Sequence, residues 1–128
     1  MKFIIMSNNP LVRDSYRGKY EVSYVDGTYA DVLIATRDRC HAGCRLLSHP
    51  LSGSVKPNET LYKSVMISKE AGTVDFDSVM LIEGAIATAV KFGAVRRNWR
   101  EQEIADFQLV DLTLIASAIE SAENSMAQ

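Results

Sequence analysis

A chain of 128 residues with 47% hydrophobic and 23% charged side chains has the size and composition of one ordinary globular domain, far from the profile of disorder. Its 14 basic and 16 acidic residues leave a formal charge of −2, so no global field draws in nucleic acid or an anionic membrane, and neither is expected as a partner. No stretch nears the roughly eighteen consecutive apolar residues of a membrane span, and residues 1–9 lack the length and cleavage site of a signal peptide, which makes the cytoplasm the expected compartment.

The first element in chain order is a short run rich in Ile and Phe over residues 2–6, stopped by Ser7, Asn8, Asn9 and Pro10. A run bounded in this way reads as a buried strand. Asn9 and Pro10 then suit the N-cap and first turn of a short helix over residues 11–17, before Gly18. Residues 20–25 carry Val22, Tyr24 and Val25 and stop at Asp26 and Gly27, which predicts a second strand. Thr28 caps the next helix, in which Tyr29, Val32, Leu33, Thr36 and Cys40 recur at helical spacing and Gly43 stands at the C-terminal end.

Residues 44–48 and 63–68 read as the third and fourth strands, joined by a segment too rich in Pro, Gly and Ser for a helix. Asp75 opens a helix lined by Val79, Ile82, Ile86 and Val90 and closed near Gly93. A last helix falls between 101 and 124, with Val110, Leu114, Ala118 and Ala122 along one face and either Asp106 or Asp111 as its cap. Alternation of this kind predicts one α/β domain spanning 1–128: a mainly parallel four-stranded sheet covered by helices, Rossmann-like and three-layered. The link between the last two strands lacks a helix, so they pair antiparallel or the final strand lies at an edge.

In an open parallel sheet, ligands bind beyond the carboxyl ends of the strands. Those ends here carry Ser7, Asn8 and Asn9, then Asp26, Gly27 and Thr28, then Ser48 and His49, so three distant polar segments should meet at one rim. The richest is residues 48–60. In it Ser52, Gly53 and Ser54 can turn successive N–H groups toward one point with Lys56 close behind, the chemistry an oxyanion or phosphate requires. Neither a Walker loop nor a Gly-x-Gly-x-x-Gly pattern occurs. The expected ligand residues are therefore Asn8, Asn9, His49, Ser52, Gly53, Ser54, Lys56 and Asn58, with a small anionic metabolite or phosphate group as ligand.

His49 is the candidate general acid or base, with Asp26 to orient it and Ser52 or Ser54 as the group it activates. The bland alternative is an ordered crossing loop whose Ser, Asn and Thr side chains satisfy backbone groups. Cys40, His41 and Cys44 have neither Cys-x-x-Cys spacing nor a second ligand cluster, so both cysteines read as free core residues and no metal or cofactor is expected. Arg96, Arg97 and Arg100 around Trp99 read as a solvated connection, or else, with the final helix, as a contact surface for a protein. Apolar helices on a small domain also favour symmetric pairing into a homodimer.

The run over residues 46–70, Leu-Leu-Ser-His-Pro-Leu-Ser-Gly-Ser-Val-Lys-Pro-Asn-Glu-Thr-Leu-Tyr-Lys-Ser-Val-Met-Ile-Ser-Lys-Glu, resembles the central motif of the GrdX protein family. Asn8-Asn9-Pro10 and Asp75-Phe76-Asp77-Ser78 extend the likeness over most of the chain. The resemblance implies an accessory protein of glycine, sarcosine and betaine reductase metabolism, and a reductase component as partner. It carries no catalytic residues with it. Three functions follow as expectations: a binding protein for a small anion, a small enzyme using His49, or an interaction module for a reductase component.

Overall fold

The computed structural model describes residues 2–51, 56–93 and 98–126. Three strands form its sheet, β1 (Phe3–Ser7), β2 (Glu21–Tyr24) and β3 (Ser64–Ser68), in the order β2-β1-β3. β1 pairs parallel with β2, from Ile4 against Glu21 to Ser7 against Tyr24, and antiparallel with β3, from Phe3 against Ser68 to Ser7 against Ser64. The expected four-stranded, mainly parallel, Rossmann-like sheet is thereby overturned: the sheet is three-stranded and mixed.

The reason lies in the connection. Parallel pairing requires a crossover that carries the chain back to the strand's starting end. Between residues 48 and 64 there is no helix among the described residues, so the chain turns round at one rim and β3 runs back from it. Residues 44–48, expected as a strand, make one isolated antiparallel bridge, Leu46 with Ile67. The N–H groups of Leu47 and Ser48 both converge on the Met66 carbonyl, at 2.8 and 3.2 Å. The Ser48 hydroxyl accepts the Met66 N–H at 2.8 Å, so a side chain takes the place the next ladder bond would hold.

Four helices cover the sheet: α1 (Pro10–Ser15), α2 (Tyr29–His41), α3 (Phe76–Phe92) and α4 (Glu101–Met126). Alternation along the strands sends Ile4, Met6, Val65 and Ile67 to one face, against Val32 and Cys44, and Ile5 and Met66 to the other, against Val12, Ile115 and Ile119. α3 packs on α2 through Ile82 and Ala85 against Tyr29, Leu33 and Cys40. α1 and α4 share the opposite face.

Local chemistry explains the helix starts. Asn9 Oδ1 accepts from Leu11 N at 3.0 Å with Pro10 in the first turn. Thr28 and Asp31 form a reciprocal capping box, and Asp75 accepts from Ser78 N at 3.1 Å. Gly43 has φ 110°, and a Cβ there would lie 2.1 Å from the Gly72 carbonyl oxygen, so this turn admits no side chain. All five expected core residues of α2 are buried. α4 is rotated from the expected face: Val110 and Leu114 are exposed, while Asp111, Ile115 and Ile119 point inward.

Candidate functional site

β1 and β2 end, and β3 begins, at the same rim. The polar residues that stop each strand are thus brought together. Asn8 joins three of the segments: its Nδ2 donates to the carbonyls of Gly27 at 3.1 Å and Leu61 at 2.9 Å, and its Oδ1 accepts from Lys63 N at 2.9 Å. Asn9, besides capping α1, donates through Nδ2 to the Gln108 carbonyl at 2.9 Å and to Asp111 Oδ2 at 3.0 Å. Both amides are buried and their donors are committed to the protein.

Asp111 is the hub of this network. Ser64 Oγ donates to Asp111 Oδ2 at 2.6 Å. Since a serine has one proton to give, Ser7 supplies the proton in its 2.7 Å contact with Ser64. Ser7 Oγ in turn accepts from Asn9 N at 3.0 Å. The chain of donors therefore runs from the α1 cap through two strands to a carboxylate on α4. Asp111 is only 5% exposed, and burial raises its pKa against the opposing pull of Ser64, Asn9 and the Lys63 charge. Lys63 is buried to the same degree. Its pKa is lowered by desolvation, partly offset by Asp111. Tyr29, buried nearby in the core, has its hydroxyl without a partner among the described residues, and burial first and Asp111 second raise its pKa.

Above this layer lies a cleft of about 220 Å³ whose polar lining is Ser48, His49, Lys63 and Ser64 and whose apolar lining is Leu51, Leu114, Ile115 and Ala118. His49 is exposed, and its Nδ1 lies 2.9 Å from the Leu51 carbonyl oxygen and 3.0 Å from Leu51 N. Nδ1 is therefore engaged with this backbone turn in either tautomer, and Nε2 is the ring nitrogen outside it. The cleft thus combines an imidazole, a desolvated lysine and the Ser48 hydroxyl against an aliphatic wall, a set suited to a small anion with a short apolar part.

The sequence-derived residues separate in space. His49 lines the cleft. Asn8 and Asn9 lie in the scaffold beneath it. Lys56 Nζ sits over the Phe92 ring at 5.9 Å, at the end of α3. Asn58 is half-buried, and its Oδ1 has no partner among the described residues. Ser52, Gly53 and Ser54 lie outside the described residues, as do Arg96 and Arg97. Trp99 packs edge-on against Phe107 at 4.7 Å, and Arg100 pairs with Glu103 at 3.4 Å. Cys40 and Cys44 are free and buried, with the Cys40 thiol pushed up to about 11 by burial. Among the described residues no group of three His, Cys, Asp or Glu side chains is placed to hold a metal, and no helix is long and apolar enough to cross a membrane.

Lys63, Ser64 and Asp111 escaped the reading by sequence. Lys63 and Ser64 were absorbed into a strand, and Asp111 into a choice of helix caps. A usable signal was present for Asp111: it stands four and eight residues before Ile115 and Ile119, an acid inside an apolar stripe.

Fold and rim together define a small α/β protein with a mixed three-stranded sheet and a buried Asp–Ser–Asn–Lys network under an open cleft. The chain belongs to the GrdX-like protein family, whose sequence model matches residues 4–120. This membership supports a link with glycine reductase-type systems. No curated protein and no solved structure matches the chain.

Proposed function

We propose that this protein is an accessory protein of glycine reductase-type metabolism that binds a small anionic or phosphate-bearing ligand at the strand-end rim, in the cleft between residues 48–51, the start of β3 and α4. The observation that carries this reading is the convergence of His49 and Ser48 on a cleft that Lys63 also lines. Desolvation at Lys63 raises the value of any added negative charge, since an anion favours the ammonium form that burial disfavours. Family membership supports the metabolic setting, and the cleft chemistry supports the ligand class.

Titration calorimetry with inorganic phosphate, acetyl phosphate and glycine tests it. One of the anions should bind the wild-type protein, and Lys63→Met and His49→Ala should each weaken that binding about 10-fold or more, as expected for loss of a charge-assisted hydrogen bond. Circular dichroism checks the fold of each variant, and exposed His49 provides a substitution that leaves the core intact. Absence of binding by all three compounds, or equal affinity in both variants, would reject the proposal. A small enzyme using His49 is the second reading, favoured by the place of His49 in the lining of the cleft; turnover of a bound anion that is lost in His49→Ala would establish it.

A further inference from the structure

α3 carries only Asp77, Glu83 and Lys91 as charged residues in its 17 positions and is apolar on every side. A helix of this pattern is ordinarily enclosed. Here its buried residues, Ser78, Ile82 and Ala85, occupy one side only. The opposite side presents Phe76, Met80, Gly84, Ala87 and Lys91, spaced four, four, three and four residues apart and so aligned in one row. Phe76 is 72% exposed, Met80 58%, and Val90 on the shoulder of the row 74%.

Two features of the row indicate what covers it. With Gly84 at the axis, an antiparallel copy of the same helix sets Met80 beside Ala87 and Phe76 beside the aliphatic stem of Lys91. The same operation brings Asp77, in the first turn, within a turn of Lys91 of the second copy, in the last, twice over. Two Asp77–Lys91 pairs then flank the twofold axis, against one approach of Glu83 to its copy, in which each carboxylate already faces His41 Nε2 of its own chain at 3.1 Å. Within its own chain Gly84 has no packing reason to be glycine, since a Cβ there would meet nothing within 4 Å, and glycine costs a helix about 1 kcal/mol relative to alanine. Close approach of a second helix supplies the reason.

The exposed apolar surface of the row and Val90 is on the order of 400 Å². That is about half of the ~800 Å² each partner buries in a standard interface, close to the non-polar share of such surfaces. α4 also exposes Leu109, Val110 and Leu114, but it contains no lysine or arginine. Antiparallel self-pairing there would set Asp106 against Glu120.

We propose that α3 is a self-association surface, pairing antiparallel with α3 of a second copy about a twofold axis near Gly84. The ligand cleft, built against α4 on the other face of the sheet, stays open in this arrangement.

Sedimentation equilibrium of the full chain across the micromolar range tests the pairing. Wild-type protein should approach twice its 14.2 kDa chain mass. Met80→Lys and Gly84→Arg should each raise the dimer dissociation constant at least about tenfold, with unchanged circular dichroism because both positions face solvent in the isolated chain. Gly84→Cys should form a disulfide-linked dimer on mild oxidation, whereas Ser117→Cys, at an exposed position of α4, should not. A wild-type protein at single-chain mass throughout the range overturns the proposal, as does a dimer that survives Met80→Lys and Gly84→Arg or fails to cross-link through Gly84→Cys.

Discussion

Replacing Asp111 by alanine removes the acceptor on which Ser64 Oγ and Asn9 Nδ2 converge, at 2.6 and 3.0 Å. Hydrogen bonds to a charged group contribute about 1.5–3 kcal/mol each, but the two losses do not simply add. Asn9 Nδ2 keeps the Gln108 carbonyl, and Ser64 keeps Ser7. Lys63, in turn, loses the charge that partly offsets its desolvation. Weighing retained contacts against the lysine's lost counter-charge, Asp111→Ala should destabilise the protein by about 3 kcal/mol and lower Tm by roughly 10 °C.

Asp111→Asn keeps an oxygen in place for both donors and should cost about 1 kcal/mol at neutral pH. The sign of the pH dependence separates charge from shape. The Asp111 pKa is raised in the folded protein, so the stability it contributes is fully present below the unfolded aspartate value of about 3.9 and is lost as pH rises through the folded value. Asparagine does not titrate. The advantage of wild type over Asp111→Asn in urea denaturation should therefore be greatest below the unfolded aspartate value of about 3.9 and shrink as pH rises through the raised folded value. An Asp111→Ala protein within about 0.5 kcal/mol of wild type, or an advantage that grows with pH, would refute the assignment of Asp111 as a desolvated hub.

Gly43→Ala combines a positive φ with a Cβ only 2.1 Å from the Gly72 carbonyl oxygen, so chemical denaturation should show a loss of at least about 2 kcal/mol. Thr28→Ala removes half of the capping box at the start of α2 and should cost about 1 kcal/mol, with Thr28→Ser close to neutral in the same assay.

Features legible in the sequence were those whose chemistry is complete within a few residues. Asn9, Thr28 and Asp75 announce helix starts because each cap accepts from an N–H two or three positions away. The core stripe of α2 was readable because its buried residues recur at the helical period, Val32 toward the sheet and Tyr29, Leu33 and Cys40 toward α3. The meeting of Ser7, Asn8, Gly27 and Ser48 at one rim also followed from strand ends, and His49 was placed beside it. The same reasoning failed for α4. Treating Asp111 as a surface or cap residue rotated the expected buried face onto Val110 and Leu114, since a charged side chain is ordinarily kept in water.

Composition, caps and hydrophobic periodicity in the sequence by itself determined that strands and helices alternate, where most of them begin, and which face of α2 is buried. These are local properties, settled by the period of the side chains and the hydrogen bonds within a turn. Tertiary structure alone decided that β3 joins β1, the reduction of residues 44–48 to a single bridge, and the burial of Lys63 and Asp111. Which strand β3 joins depends on contacts across the whole sheet, and no pattern within five residues records it. The partners that make Asp111 tolerable inside the fold lie 47 and 102 residues away, so their pairing exists only once the two faces of the sheet have closed around them.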